Sequence, residues 1–335
     1  MNPTPGLISI IVPVYNRSDE VRDLLESLTA QTDRNFEIVI VEDGSTEPCR
    51  DICDSYDGKL RLQYHFKGNE GRSIARNYGM ERADGDFFVF VDSDCILPED
   101  YIANLRRALR ERPTDCFGGP DAAHASFTDM QKAINYSMTA FLTTGGIRGG
   151  KVQLEKFVPR TFNMGFSRDV YNKVGGFREM FSEDIDMSTR IRLAGFDITL
   201  YRDVRVYHKR RVDLKKFWRQ VHVFGMSRIT LQLLYPGSMK AVHWLPALFV
   251  IFATAMIIGS FWWPWLLIPL AVYLLALWIS AIVATRSLKI GTMAVAAAMT
   301  QLFGYGTGFI RAYVWKILLR HGRDEQQEIE MRRGK

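Results

Sequence analysis

The chain has 335 residues but only four cysteines, and no two of them have the Cys-x-x-Cys spacing of redox or zinc sites. No histidine–cysteine cluster surrounds them, so free thiols in a reducing compartment are expected. A secretory signal is also missing, because the apolar run at 7–14 is short, is interrupted by Pro13 and follows no basic segment. These absences predict that the N-terminal part of the chain stays in the cytosol.

A large excess of one charge is absent as well. The net charge is +6 at pH 7, and the basic residues gather around 209–219 and after 311. Basic residues beside apolar segments suit a membrane surface, whereas a nucleic-acid groove needs them along the folded domain. Nucleic acid is therefore not an expected partner.

Charged residues are missing from two long segments near the C-terminus. Residues 242–263 and 265–284 contain no Asp, Glu, Lys or Arg, and each segment is long enough to span a bilayer core. Tryptophans on both sides of Pro264 predict an aromatic belt around a tight interfacial turn. Because basic residues lie outside that turn, the positive-inside rule predicts a multi-pass inner-membrane protein with its N-terminal domain in the cytosol.

A third apolar stretch, 291–319, supports two interpretations. It contains Gln301, Arg311 and Lys316, so it is either a third span or a tilted helix that returns along the interface. Gly304 and Gly308 have a small-xxx-small spacing, which is typical of a face on which helices pack closely.

The first 236 residues alternate between strand and helix patterns. Strands are predicted at 8–12, where Pro13 ends the first one, and at 36–41, 60–64 and 87–91; helices are predicted at 19–31 and 71–83. This alternation predicts an α/β fold with a doubly wound, mostly parallel sheet. Ligands of such sheets bind outside the carboxyl ends of the strands.

Acidic residues follow two of these strands. Asp92 and Asp94 come directly after the apolar strand 87–91, and Glu42 and Asp43 come after 36–41. Two carboxylates at the end of a buried strand are costly unless a cation meets them. Mg²⁺ or Mn²⁺ carrying a substrate diphosphate would do so, which predicts a nucleotide-diphosphate enzyme. Capping of the helix that begins at Pro98 is the alternative role of Asp92 and Asp94.

The segment 213–235 predicts an amphipathic helix between the two halves. Its apolar side chains fall on one face with basic residues beside them, and they are Leu214, Phe217, Trp218, Val221 and Phe224. Such a helix either lies in the headgroup region or packs against the catalytic domain.

Five motifs in order now resemble glycosyltransferase family 2, which has the Rossmann-like GT-A fold. They are the runs 11–17, 41–45, 69–77, 92–94 and 183–184, and the resemblance covers about 7–235. It implies a GT-A catalytic domain at 1–212 and an amphipathic interfacial helix and linker at 213–240. A membrane domain of two to three helices at 241–320 and a charged cytosolic tail at 321–335 would follow.

The resemblance implies a set of donor-binding residues. Asp43 matches the aspartate that accepts a hydrogen bond from a uracil ring, and Pro13 and Tyr15 lie where the base would rest. Arg72 would reach the donor phosphates at a helix N-terminus, while Arg76 would either join it or brace the loop that carries Asp92.

The metal site is implied in the same way. Asp94 would bind Mn²⁺ or Mg²⁺ directly, and Asp92 would hold sugar or ribose hydroxyls or join the metal through water. His208, after the strand 204–207, would supply a nitrogen ligand or have a structural role.

The resemblance also implies a general base and a reaction class. Asp184 would take a proton from the acceptor hydroxyl in a single displacement with inversion, while Glu183 would suffice to cap the helix 185–194. The Gln-x-x-Arg-Trp signature of processive synthases is missing around 217–222, so transfer of a single sugar is expected.

The predicted function is therefore transfer of a sugar, with UDP as the expected nucleotide carrier, to a hydroxyl of a lipid-linked saccharide at the membrane. A polyprenyl-phosphate glycosyltransferase, a polymer-making synthase subunit and an inactive scaffold on the same fold are the alternatives. The segment 117–166 is expected to shape the donor pocket, with 145–150 as a lid or an idle loop.

Overall fold

A computed structural model describes residues 6–122, 127–145, 157–208 and 213–320. These residues divide into two compact units, of which the first comprises 6–122 and 157–208, and the second comprises 127–145 and 213–320. The sequence predicted one domain up to residue 212, whereas the structure groups 127–145 with the C-terminal helices. Most of the proposed lid (146–150), the basic residues 209–211 and the tail 321–335 lie outside the described residues.

Ten strands and twelve α-helices are formed by the described residues. The strands are β1 Ile8–Val14, β2 Phe36–Asp43, β3 Leu62–Lys67, β4 Phe87–Phe90, β5 Cys95–Ile96, β6 Cys116–Gly118, β7 Asp121–Ala122, β8 Met164–Ser167, β9 Ile198–Leu200 and β10 Val206–His208. The helices are α1 Ser18–Thr29, α2 Arg50–Asp54, α3 Arg72–Arg82, α4 Tyr101–Glu111, α5 Asp129–Thr139, α6 Phe141–Thr144, α7 Arg168–Val174, α8 Glu183–Leu193, α9 Leu214–Leu234, α10 Ala241–Gly259, α11 Ile268–Thr285 and α12 Leu288–Ala312. Short 3₁₀ helices occupy Thr161–Asn163 and Pro264–Leu267, and a π-helix, Tyr313–Leu318, continues α12.

The first unit contains a seven-stranded sheet in the order β3-β2-β1-β4-β8-β6-β9. β1 is parallel to β2 and β4, and β2 is parallel to β3, whereas β8 is antiparallel to both β4 and β6. A small sheet, β5-β10-β7, carries His208 at the end of β10. The prediction of a mostly parallel α/β sheet is therefore confirmed.

Two strand ends differ from the prediction. Pro13 does not end β1, which continues to Val14. β4 pairs with β1 only as far as Ile11, so beyond that point only β2 lies beside β1, and a proline without an N–H is tolerated. β2 likewise continues through Glu42 and Asp43, which makes these carboxylates part of the strand instead of the turn after it.

The sheet is covered on both faces, as expected for parallel strands. Ile8, Ile10 and Val12 pack in one cluster with apolar side chains of α1 and α4. Ile11 lies in the opposite cluster, with Val39 and residues of α3 and α8. Burial of both faces fixes the strands and therefore the positions at which they end.

The second unit contains three helical segments that are long and apolar enough to cross a membrane: Ala241–Gly259, Pro264–Thr285 and Leu288–Leu318. The helix predicted between the halves is α9, and it packs along α12. Gly304 and Gly308 lie on this interface, since a Cβ on either glycine would meet atoms of Val221 or His222. The predicted close-packing face is therefore confirmed.

Candidate active site

The carboxyl ends of β1 and β2 are joined by hydrogen bonds around Asn16. Asn16 adopts a left-handed φ of 52°, and its amide N donates to Ser45 Oγ at 2.7 Å. Its Oδ1 accepts from the amide N of Thr46 at 2.8 Å. A cavity of about 550 Å³ opens beside this junction and is lined in part by Asn16, Arg17 and Thr46. The strand ends therefore frame a polar cleft.

Asp43 lies at the end of β2 with its carboxylate almost fully buried. Lys67 Nζ donates to Oδ1 at 2.8 Å, and the amide N of Glu70 donates to the same oxygen at 3.0 Å. The amide N of Gly71 donates to Oδ2 at 2.8 Å. Three donors therefore fix this carboxylate, and Oδ2 retains a lone pair for a further donor.

The other two residues predicted to hold a nucleobase lie on β1 and directly after it. Pro13 is half-buried in the strand, and Tyr15 exposes 49% of its surface just beyond the last residue of β1. Both positions are at the carboxyl end of a central strand, where ligands of such sheets bind.

A buried charge network connects three of the five motifs. Arg76 is 1% exposed and donates from Nη2 to Asp92 Oδ1 at 2.7 Å and from Nη1 to Glu183 Oε1 at 3.2 Å. Arg72, whose side chain is about half exposed, donates to Glu183 Oε2 at 2.8 Å. Burial raises the pKa of the Glu183 carboxyl, although both guanidinium groups act in the opposite direction. The network ties α3, the loop after β4 and the start of α8 together.

Asp94 and His208, which the resemblance implied as metal ligands, lie next to each other. His208 Nε2 lies 3.1 Å from Asp94 Oδ1, and the His208 ring stacks on Phe162 with 4.6 Å between ring centroids. Cys95 completes a group of three side chains that could hold a metal ion. Arg17 Nη1 lies 3.2 Å from Asp94 Oδ2, so it occupies the other oxygen of the carboxylate. Asp92 is directed towards Arg76 instead.

Glu183 and Asp184 both lie in the first turn of α8, and each has its own partners. Glu183 is buried between Arg72 and Arg76. Asp184 Oδ1 accepts from the amide N of Ile185 at 2.8 Å, and Arg160 Nη1 donates to its Oδ2 at 3.0 Å. Ser182, directly before α8, has a left-handed φ of 66°, and the first turn of α8 places Glu183 against α3.

The model of the family "Glycosyl transferase family 2" matches residues 9–175, which include most of the first unit. The sheet and the ordered motifs on it agree with this match. The chain belongs to glycosyltransferase family 2.

Relatives of this family 2 chain differ in how much of it they cover. Glycosyltransferase GlyA of Streptococcus pneumoniae is 39% identical over 109 residues, which are 32% of this chain and 16% of that protein. Glycosyltransferase AglE of Haloferax volcanii is 26% identical over 261 residues, which are 70% of this chain and 80% of that protein. The chain thus spans only a small part of GlyA but most of AglE.

A solved structure shares the fold. Mannosyltransferase PcManGT from Pyrobaculum calidifontis, in complex with GDP-Man and Mn²⁺, superposes with a TM-score of 0.53 over 90% of this chain and 88% of that one. At 18% identity the similarity shows the fold alone.

Glu42, whose role was open, has structural partners in this family 2 chain. It is fully buried, and its Oε2 accepts from the amide N of Cys49 at 2.7 Å and from Tyr64 Oη at 2.9 Å. Burial and the hydrogen bond to Glu42 raise the pKa of the Tyr64 hydroxyl. Glu42 therefore anchors α2 and β3 behind the cleft.

The sequence indicated no specific role for three basic residues of the site. Lys67 lies beyond the predicted strand 60–64, and its position opposite Asp43 follows from the parallel register of β2 and β3. Arg17 lies in the motif 11–17, and Arg160 lies in the segment 117–166, which was expected to shape the donor pocket. No local pattern links Arg160 to Asp184, because their contact depends on the tertiary fold.

Proposed function

We propose that this protein is an inverting, metal-dependent glycosyltransferase. It transfers a sugar from a nucleotide diphosphate, with UDP as the expected nucleotide, to a hydroxyl of a membrane-associated, lipid-linked saccharide. The observation that carries the proposal is the distance of 3.1 Å between His208 Nε2 and Asp94 Oδ1. Asp43 at the end of β2 and Asp92 in the loop after β4 lie at the carboxyl ends of the same sheet. Family membership supports glycosyl transfer as the reaction class.

The donor atoms at Asp94 and His208 fit a divalent cation. One carboxylate oxygen and one imidazole nitrogen suit Mn²⁺ well, because Mg²⁺ is usually held by oxygen ligands alone. Cys95 is left out of the set, since its Sγ points at the carbonyl oxygen of Phe162, 3.7 Å away. A bound cation would neutralise charge on the departing diphosphate. The complex of PcManGT with Mn²⁺ supports the choice of metal.

Donor recognition is assigned to Asp43, Arg72, Pro13 and Tyr15. The fixed Asp43 carboxylate accepts from an imide N–H of the base, and the half-exposed Arg72 can move to the phosphates. Arg76 is reassigned, because a buried guanidinium with two carboxylate partners holds Asp92 and Glu183 in place and does not contact the donor.

Asp184 is assigned as the general base. Its carboxylate is held by Arg160 and by the amide N of Ile185, yet an ionised carboxylate offers about four lone-pair directions, so one remains for the acceptor hydroxyl. The oxygen that loses its proton attacks the anomeric carbon from the face opposite the diphosphate, which inverts the configuration. Arg160 then acts by fixing the direction of the base.

The membrane location rests on the helices of the second unit. Helices embedded in the membrane would keep the enzyme at the same surface as an acceptor that carries a lipid anchor. The basic residues around these helices support a cytosolic catalytic unit at the inner membrane. The lipid-linked acceptor follows from that location and not from any acceptor motif.

The experiment is a donor screen on the purified full chain in detergent. UDP-, GDP- and dTDP-sugars are tested by thermal shift and by release of free nucleotide diphosphate, with Mn²⁺, Mg²⁺ or a chelator. We expect donor turnover that requires Mn²⁺ or Mg²⁺ and is lost in Asp94→Asn. Asp203→Asn, at a strongly exposed aspartate, is the matched control. Turnover that is unchanged by both the chelator and Asp94→Asn would contradict the proposal.

A further inference from the structure

The third apolar helix, α12, contacts the end of α11 that lies far from the tryptophan-rich turn. Ile282 packs against Gly291, where a Cβ would lie 2.6 Å from Ile282 Cγ1. Trp278 Nε1 donates to Thr292 Oγ1 at 3.1 Å. The N-terminal part of α12 therefore lies beside the last turns of α11, close to Arg286.

The other end of α12 contacts the first turns of α10. Phe309 packs on Trp244 with 4.9 Å between ring centroids, and Phe303 packs on Phe249 at 5.7 Å. Gly306 lies against Val250, where a Cβ would be 2.6 Å from Val250 Cγ2. These partners again lie far from the turn between α10 and α11.

These contacts show that α12 crosses the α10–α11 hairpin instead of running along it. Gly291 and Phe309 are about 27 Å apart along α12 at 1.5 Å per residue. Their partners nevertheless all lie about 20 to 30 Å from the turn at Pro264, measured along α10 and α11. A helix parallel to the hairpin would have met partners at very different depths.

The helix that packs beside α12 is strongly basic at its start. α9 follows α12 for about half of its length, with His222 Nδ1 3.2 Å from Thr307 Oγ1 and Lys316 Nζ 3.2 Å from Thr230 Oγ1. Near the first of these contacts α9 exposes three basic side chains next to an exposed tryptophan, and they are Lys215, Lys216, Arg219 and Trp218. If α12 spanned the bilayer, α9 would enter the hydrocarbon with these charges, which is unfavourable for every charged side chain near the centre of the bilayer.

We propose that α12 does not cross the membrane. It lies in the headgroup region of the leaflet at which α10 begins and α11 ends, so the chain crosses the bilayer twice. The exposed basic residues and Trp218 of α9 then face anionic lipid headgroups. Arg311 and Arg320 return to the side of Arg286, in agreement with the positive-inside rule, which a third span would violate.

Cysteine labelling of the full chain tests this topology. The four native cysteines are buried, so the unsubstituted protein gives the background. Phe261→Cys in the turn, Arg286→Cys after α11 and Arg320→Cys after α12 are treated with a membrane-impermeant maleimide in spheroplasts, before and after permeabilisation. We expect Arg320→Cys to follow Arg286→Cys and to oppose Phe261→Cys. Labelling of Arg320→Cys together with Phe261→Cys would overturn the proposal, as would labelling of all three from one side.

A pair of lysine substitutions provides a measurement that does not depend on labelling. Ala296 on α12 and Val272 on α11 are both exposed in the structure. We expect Val272→Lys to reduce the membrane-inserted protein several-fold, because that side chain would lie in hydrocarbon, and Ala296→Lys to leave it unchanged. An equal loss for Ala296→Lys would overturn the proposal. A fluorescent protein fused after Lys335, which fluoresces only in the cytosol, should report the same side as Arg286→Cys.

Discussion

The two units bury different kinds of residue. The first unit buries charged side chains: Arg76 on α3 is 1% exposed, Glu183 on α8 is 3% exposed, and Asp43 at the end of β2 is 4% exposed. The second unit brings helix backbones together, because glycines such as Gly225 and Gly308 lie where any side chain would meet the backbone of the neighbouring helix. A buried charge is costly unless it is paired, and these charges have partners that hold them in place. Glycines in helices mark contact surfaces.

The largest effect should come from Asp184, the proposed general base. We expect Asp184→Asn to lower kcat about 10²–10⁴-fold, because the amide cannot accept the hydroxyl proton. Donor binding and the unfolding temperature should stay unchanged. The comparison is Asp169→Asn, at an exposed aspartate in the first turn of α7, measured in the same steady-state assay. Full activity of Asp184→Asn would favour an acceptor that is already ionised, such as a polyprenyl phosphate.

The buried network gives the next effect, on stability. Arg76→Met should lower the free energy of unfolding of the first unit by about 3–5 kcal/mol, since it leaves Asp92 and Glu183 without their buried partner. Urea unfolding followed by far-ultraviolet circular dichroism measures this. All seven tryptophans lie in the second unit, so their fluorescence should hardly respond.

The double substitution Arg76→Met with Glu183→Met separates charge from packing. It removes both members of a buried pair, so it should lose less stability than Arg76→Met alone. Equal losses would mean that the packing of Arg76, and not its charge, matters most.

A smaller effect is expected in the second unit. Gly225→Val should destabilise the α9–α12 interface by about 1–3 kcal/mol, because the new Cβ meets the carbonyl oxygen of Tyr305. Thermal unfolding in detergent, followed by tryptophan fluorescence, should shift to lower temperature while donor binding stays unchanged. The control, Ala255→Val, adds bulk to an exposed face of α10 and should change neither the unfolding temperature nor donor binding. A loss of donor binding in Gly225→Val would contradict the expectation that the α9–α12 interface does not affect the donor site.

The smallest effect is expected for an exposed ion pair of the first unit. Arg61 Nη2 lies 2.7 Å from Asp84 Oδ2, but both side chains are more than half exposed. Asp84→Asn should therefore change the free energy of unfolding by less than about 1 kcal/mol. A change as large as that of Arg76→Met would remove the distinction between buried and exposed charges.

The sequence predicted what depends on local patterns. The alternation of strand and helix patterns predicted the parallel sheet, and two long segments without charged residues predicted the α10–α11 hairpin. The sheet and the hairpin each depend on residues within one or two elements. The proximity of Asp94 and His208 was implied by the resemblance to family 2 and not by a local pattern.

Other contacts between distant residues could not be predicted. Glu183 and Asp184 are adjacent carboxylates, and only the fold decides that the first meets Arg76 and the second meets Arg160. The placement of α5 was missed for a related reason, since its buried face includes Gln131 and Ser137 and has no clear apolar stripe.

The position of α5 affects how the protein can be shortened. α5 precedes β8 in the chain, yet four of its side chains pack in clusters with residues of α9, α11 and α12, and they are Ala133, Ile134, Tyr136 and Met138. A truncation before Leu214 would keep α5 but remove these partners. The truncated protein would then expose an apolar patch that promotes aggregation. Removing the C-terminal helices without exposing this patch therefore means replacing 127–145 with a short polar linker as well.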